Sequence, residues 1–81
     1  MIAPELISLA QLNVGLSATV CQLLGGKETN ARLHALGIRP GQQVRVIRSA
    51  AFSGPLQIRA GQTDSILRRS EARNIQVCIK P

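Results

Sequence analysis

The sequence predicts a mainly β protein, a small closed or nearly closed barrel of about five strands with one inserted short α-helix and short helical turns. Three observations predict it. Of 81 residues, 23 are Ile, Leu or Val and only Phe52 is aromatic, so the core must be built from branched aliphatic side chains, which suit strands. Apolar and polar residues alternate in several short runs, the period of a strand with one buried face. Gly and Pro recur between those runs, as tight reversals require. A chain this short supports one core, so residues 1–81 are read as a single domain. Closure suits such a chain, because it removes sheet edges that no spare residues could cover.

Each element has its own reason. Leu9 and Leu12, three apart and followed by Gly15, predict a helical turn within residues 7–16 that lids one end of the core. Thr19, Val20 and Cys21, ahead of Gly25-Gly26, predict the first strand over 17–24. Over 29–36, Leu33 and Leu36 share a helical face. Thr29 or Asn30 can act as N-cap there, and Gly37 can close the helix in the left-handed conformation. Arg39-Pro40-Gly41-Gln42 places Pro and Gly at the two central positions of a type II turn. Val44 and Val46 against Arg45, then Leu56 and Ile58 against Gln57 and Arg59, predict strands two and three on either side of a Ser53-Gly54-Pro55 loop. Ile66 and Leu67 mark strand four over 65–69, and residues 70–73 a capped helical turn. Ile75, Val77 and Ile79, alternating with Gln76, Cys78 and Lys80, mark strand five.

Ten Lys and Arg against four Asp and Glu give a net charge of +6, and every formally charged residue between Thr29 and Thr63 is an arginine. A positive sector attracts nucleic acid, anionic lipid or an acidic protein surface alike. Eight of the ten cations are Arg, the side chain suited to planar contacts with carboxylates or phosphates. No apolar run reaches the roughly 20 residues of a membrane-spanning helix, and the N-terminus lacks the order of a signal peptide, so a cytoplasmic protein is expected. Cys21 and Cys78, too few for a disulfide framework, are expected as reduced thiols.

Catalysis is not expected. One histidine, four scattered carboxylates and no phosphate-binding loop supply no nucleophile paired with a base. Cys21, Cys78 and His34 are ligand types for iron or zinc, but without metal-binding spacing, so they read as unlinked thiols and a surface imidazole, and no metal or cofactor is expected.

The ordered set Arg32-Leu33, Leu36-Gly37-Ile38, Pro40-Gly41, Val44-Arg45-Val46-Ile47, Gly54-Pro55, Leu67-Arg68, Ala72 and Ile75 resembles the FeoA family. That pattern reads RL, LG, a hydrophobic residue, PG, a V-x-V strand, a GP hairpin and an LR step, and the resemblance runs from about Leu9 to Val77. It implies an SH3-like barrel that associates with FeoB, the membrane protein that conducts Fe²⁺ and carries a cytoplasmic GTP-binding domain. Similar domains close metal-dependent repressors of the DtxR type, but this chain has no room for their DNA-reading helices. It departs from the family where members often carry Leu and Asp, in 51–55, and where they carry an aromatic, at Gly61-Gln62-Thr63-Asp64.

These readings give an expected partner-binding set: Phe52, Ser53, Gly54 and Pro55 in the loop, with Arg39, Arg45, Arg48 and Arg59, and with Arg32 as a further member of the same basic face. Phe52 is open to two readings, an exposed interface anchor or a plug for the barrel end. The segment from Leu36 to Gly41 is read as scaffold. Two alternatives to a FeoB-binding accessory stand beside it. A nucleic-acid-binding barrel is favoured by charge and disfavoured by the lack of stacking aromatics; the other is a trans-acting stimulator of GTP hydrolysis. A weak homo-oligomer through open strand edges is compatible with each.

Overall fold

A computed structural model of the chain describes residues 5–79. The backbone runs β1 (Glu5–Ser8), a 3-10 turn (Leu9–Gln11), β2 (Ser17–Leu23), α1 (Lys27–Ala35), β3 (Gln43–Ser49), β4 (Leu56–Ala60), β5 (Thr63–Leu67), α2 (Arg69–Arg73) and β6 (Ile75–Ile79). All pairings are antiparallel, in the order β1-β6-β2-β3-β4-β5. The sheet stays open between β1 and β5 but curls about one core. Val20, Val44, Val46, Ile58, Leu67, Ile75 and Val77 are buried together, with Leu9 of the 3-10 turn and Leu33 of α1 in the same cluster. The fold is that of the expected small β-barrel, with six strands where the sequence pattern gave about five.

The sixth strand is the N-terminal one. Residues 5–8 pair with β6, Ile7 opposite Val77, so the helical turn expected over 7–16 shrinks to the 3-10 turn. Ser8 sets its start: its Oγ accepts from Ala10 N at 3.0 Å, and Gln11 Oε1 accepts from Ser8 N at 3.2 Å, a capping box. Helix α1 begins two residues earlier than expected, with Gly26 rather than Thr29 or Asn30 at the N-cap. Asn30 works from inside the helix instead. Its side chain accepts from Gly25 N at 3.1 Å and donates to Leu23 O at 3.4 Å, satisfying the loop that leaves β2.

The end of α1 follows expectation. Gly37 has φ 86°, Ile38 N donates to Leu33 O and Gly37 N to His34 O, and Leu33 and Ile38 are both buried, a complete Schellman closure. The Arg39–Gln42 turn also forms, with Gly41 at φ 91° and Gln42 N donating to Arg39 O at 3.0 Å. Lys80, expected at the end of the last strand, lies outside the described residues.

Two bulges set the outward face. One falls between Val20 and Gln22 on β2, the other between Val46 and Arg48 on β3. On a regular strand Arg45 and Arg48, three apart, point to opposite faces. The extra residue Ile47 turns Arg48 back onto the outer face with Arg45, opposite Gln57.

Cys21 and Cys78 form a disulfide, with Cα atoms 6.1 Å apart, which corrects the expectation of two reduced thiols. The reason is topological. Strands β2 and β6 are neighbours, and both residues stand on the outer side of that pair at a spacing a disulfide spans.

Candidate functional site

The outer face of β3, β4 and β5 carries two cross-strand rows, fixed by register. Arg45, Arg59 and Asp64 form one; Arg48, Gln57 and Ile66 form the other, nearer the loop that joins β3 to β4. Arg45 and Arg59 stand directly opposite each other, a like-charge pairing that by itself destabilises a sheet. Asp64 relieves it. Its carboxylate accepts two bonds from Arg59, at 2.7 and 3.0 Å, and one from Gln57 at 3.1 Å. The hydrogen bond from Arg59, with that from Gln57 and the Arg59 charge behind it, holds the Asp64 carboxyl below its ordinary pKa despite partial desolvation.

The β3–β4 loop presents Phe52 fully exposed, so it does not plug the barrel end. Phe52 and Ser53 have φ 57° and 60°, a left-handed conformation uncommon for residues other than glycine and costly for a bulky one. The loop is closed by Ala50 N donating to Pro55 O and Gly54 N to Ala51 O. Gly54 has a steric reason to be glycine: a Cβ there would lie 2.9 Å from Ala50 Cβ.

Arg69 fastens this loop to the barrel. Its guanidinium donates to Gly54 O at 3.2 Å, Ala10 O at 3.3 Å and Ser49 Oγ at 2.8 Å, joining loop, 3-10 turn and strand end. Sequence reasoning did not single it out, and no local signal could have, since its acceptors lie 15 to 59 residues away. Ile66 was also missed as a surface feature. Next to the buried Leu67 it falls on the opposite face of β5, where it is 60% exposed.

Of the expected set, Arg45, Arg48 and Arg59 converge on this face and Phe52 to Pro55 border it, while Arg39 sits in the turn before β3. Arg32 is drawn away, because it forms an ion pair with Glu71 that joins α1 to α2. Among the described residues, Arg45 and Arg48 have no ion-pair partner. His34 lies exposed on α1, both cysteine sulfurs are consumed in the disulfide, and the described residues contain no group of three or more His, Cys, Asp or Glu placed to hold a metal ion. No helix among them is long and apolar enough to cross a membrane.

Residues 7–78 match the family model described as the FeoA domain. The chain is similar to the FeoA protein of Chlorobium tepidum, at 28% identity and TM-score 0.86 over 93% of this chain and 71% of that one. It is also similar to the zinc-complexed FeoA of Stenotrophomonas maltophilia, described as a prokaryotic SH3 domain protein. There the identity is 32% and the TM-score 0.74, over 88% of each chain. A manganese-dependent transcriptional repressor shares the fold alone, at 19% identity and TM-score 0.84 over 43% of its length. No curated protein sequence matches the chain.

Proposed function

The chain belongs to the FeoA family, and on that premise we propose that it is a non-catalytic accessory of bacterial ferrous iron uptake that docks on the cytoplasmic part of FeoB. The relative from Stenotrophomonas maltophilia is described as a candidate activating factor for bacterial ferrous iron transport, which supports the transport context. The protein works in the cytoplasm, a compartment that keeps thiols reduced and so opposes the Cys21–Cys78 crosslink, and reaches the inner face of the membrane through its partner. The docking surface is the loop of Phe52, Ser53, Gly54 and Pro55 with Arg45, Arg48 and Arg59 beside it, and Arg39 at its margin.

The observation that carries this reading is Phe52. A lone aromatic, fully exposed and at positive φ in a loop that Arg69 ties to the barrel through Gly54 O, makes no contribution to the core that would account for it. It suits an interface instead, since exposed aromatics on rigid supports are strong binding anchors and a preformed loop loses little entropy on docking.

The test is a calorimetric titration with the cytoplasmic region of FeoB from the same cell, at low and moderate salt. Saturable binding that survives moderate salt and weakens at least about tenfold on Phe52→Ala is expected. Absence of binding to that region and to full-length FeoB in membranes overturns the proposal. A steep loss of binding with salt, shared by single-stranded nucleic acid, favours the nucleic-acid reading.

A further inference from the structure

The two ends of the β3–β5 outer face differ in chemistry. At one end Arg45, Arg59, Gln42 and Gln43, with Val44 and Gly61, line a cleft of about 190 Å³ of mixed polar and apolar surface. At the other, next to the Phe52 loop, a groove of about 210 Å³ is lined by Arg48, Ser49, Ala50, Pro55, Gln57 and Ile66. Its apolar members are Ala50 and Pro55, at the two ends of the β3–β4 loop, and Ile66 on β5, and Ile66 has no apolar cross-strand neighbour, its row being Arg48, Gln57, Ile66. The wall made by Ala50 and Pro55 is fixed, because Ala50 N bonds Pro55 O and Arg69 holds the adjoining Gly54 and Ser49.

Charge selects the occupant. Arg32 and Arg59 have carboxylate partners, whereas Arg45 and Arg48 are exposed and have none among the described residues. A second copy of this chain cannot supply them well: it too carries +6, and two of its four carboxylates, Asp64 and Glu71, are already paired. A nucleic acid offers anions, but an apolar groove beside one exposed aromatic gives it little to stack upon. An acidic polypeptide supplies both requirements at once.

We infer that this groove seats an apolar side chain from a short acidic segment of a protein partner, whose flanking carboxylates pair with Arg48 and Arg45. Bidentate guanidinium–carboxylate contacts set the register, and the buried apolar side chain gives the segment its anchor. For the identity of the partner the inference rests on the FeoB reading; the chemistry of the groove does not.

The experiment maps amide shifts of the ¹⁵N-labelled full chain in three titrations. The first uses the peptide acetyl-Asp-Glu-Leu-Glu-Asp-amide, the second the cytoplasmic region of FeoB, the third a short single-stranded DNA. The peptide is expected to shift the amides of Ser49, Ala50, Gln57 and Ile66 saturably. Replacing its Leu by Ser, or its carboxylates by amides, is expected to remove the shifts. Ile66→Ser and Arg48→Gln, both at exposed side chains, are each expected to weaken it about tenfold with the remaining spectrum unchanged. Absent shifts, shifts elsewhere, or shifts indifferent to those replacements overturn the inference, as does DNA moving the same amides more strongly than the peptide. If FeoB binds but shifts other amides, the groove assignment falls and the docking proposal stands. If the peptide seats while FeoB does not bind, the groove assignment stands and the docking proposal falls.

Discussion

The two halves of the sheet differ in kind. Strands β2 and β6 carry no charged residue, turn Ala18, Val20, Ile75 and Val77 inward and are joined by the disulfide. Strands β3 and β4 also turn valines and isoleucine inward, but outward they show three arginines, and the loop between them exposes Phe52 at positive φ. Both halves contribute to the same core, so burial alone does not distinguish them. The difference lies on the outer surface: one half is uncharged and crosslinked, whereas the other opposes Arg45 to Arg59, a pairing that Asp64 relieves, and holds Phe52 and Ser53 at positive φ.

The largest effect is expected in the β2–β6 half. Ile75→Ala, at a fully buried site on β6, is expected to cost about 2–5 kcal/mol in urea unfolding, close to the limit for so small a core. The crosslink comes next. Cys21→Ser with Cys78→Ser is expected to lose about 2–4 kcal/mol in thermal unfolding, and the parent protein in reductant should then match the double variant. A parent indifferent to reductant would remove the disulfide from the account of this half.

Arg69 joins the halves, since it sits on α2 before β6 and holds the loop after β3. Arg69→Ala is expected to cost about 1–3 kcal/mol, with faster amide exchange confined to 50–54, because three acceptors lose a charged donor. Phe52→Asn should have the opposite sign: asparagine tolerates the left-handed conformation, so stability rises by about 0.5–1 kcal/mol while partner binding is lost. A destabilised Phe52→Asn protein would show that the ring packs, and the contrast between the halves would collapse.

The smallest effect is a pH dependence. The folded-state pKa of Asp64 lies below its unfolded value, so its contribution is complete above about pH 4 and fades as pH falls through the folded-state pKa. Both side chains of that pair are exposed, so only a slight change is expected. Comparing Asp64→Asn with the parent protein in acid unfolding checks it, the difference between them shrinking at low pH.

Much of the fold was legible because its signals are local. Gly37, Pro40-Gly41 and the alternation of Val44 with Val46 are conformational or periodic statements confined to a few neighbouring residues, and each forms as its pattern requires. The candidate site was legible in part. Phe52 stood out by composition and Arg45 and Arg59 by strand period, but Arg48 reaches their face only through a bulge that no turn residue announces.

By itself, the sequence determined a small aliphatic β-fold with a positive middle and the residues that turn its corners, since propensity, period and turn chemistry act within a few residues. The tertiary structure alone decided that Cys21 meets Cys78, that Arg32 and Arg59 are neutralised while Arg45 and Arg48 are not, and that Arg69 holds the Phe52 loop. Those pairings join residues up to 59 positions apart, apart from the short link between Arg59 and Asp64. They are set by which strands lie side by side, a property of the folded chain that no short stretch of it carries.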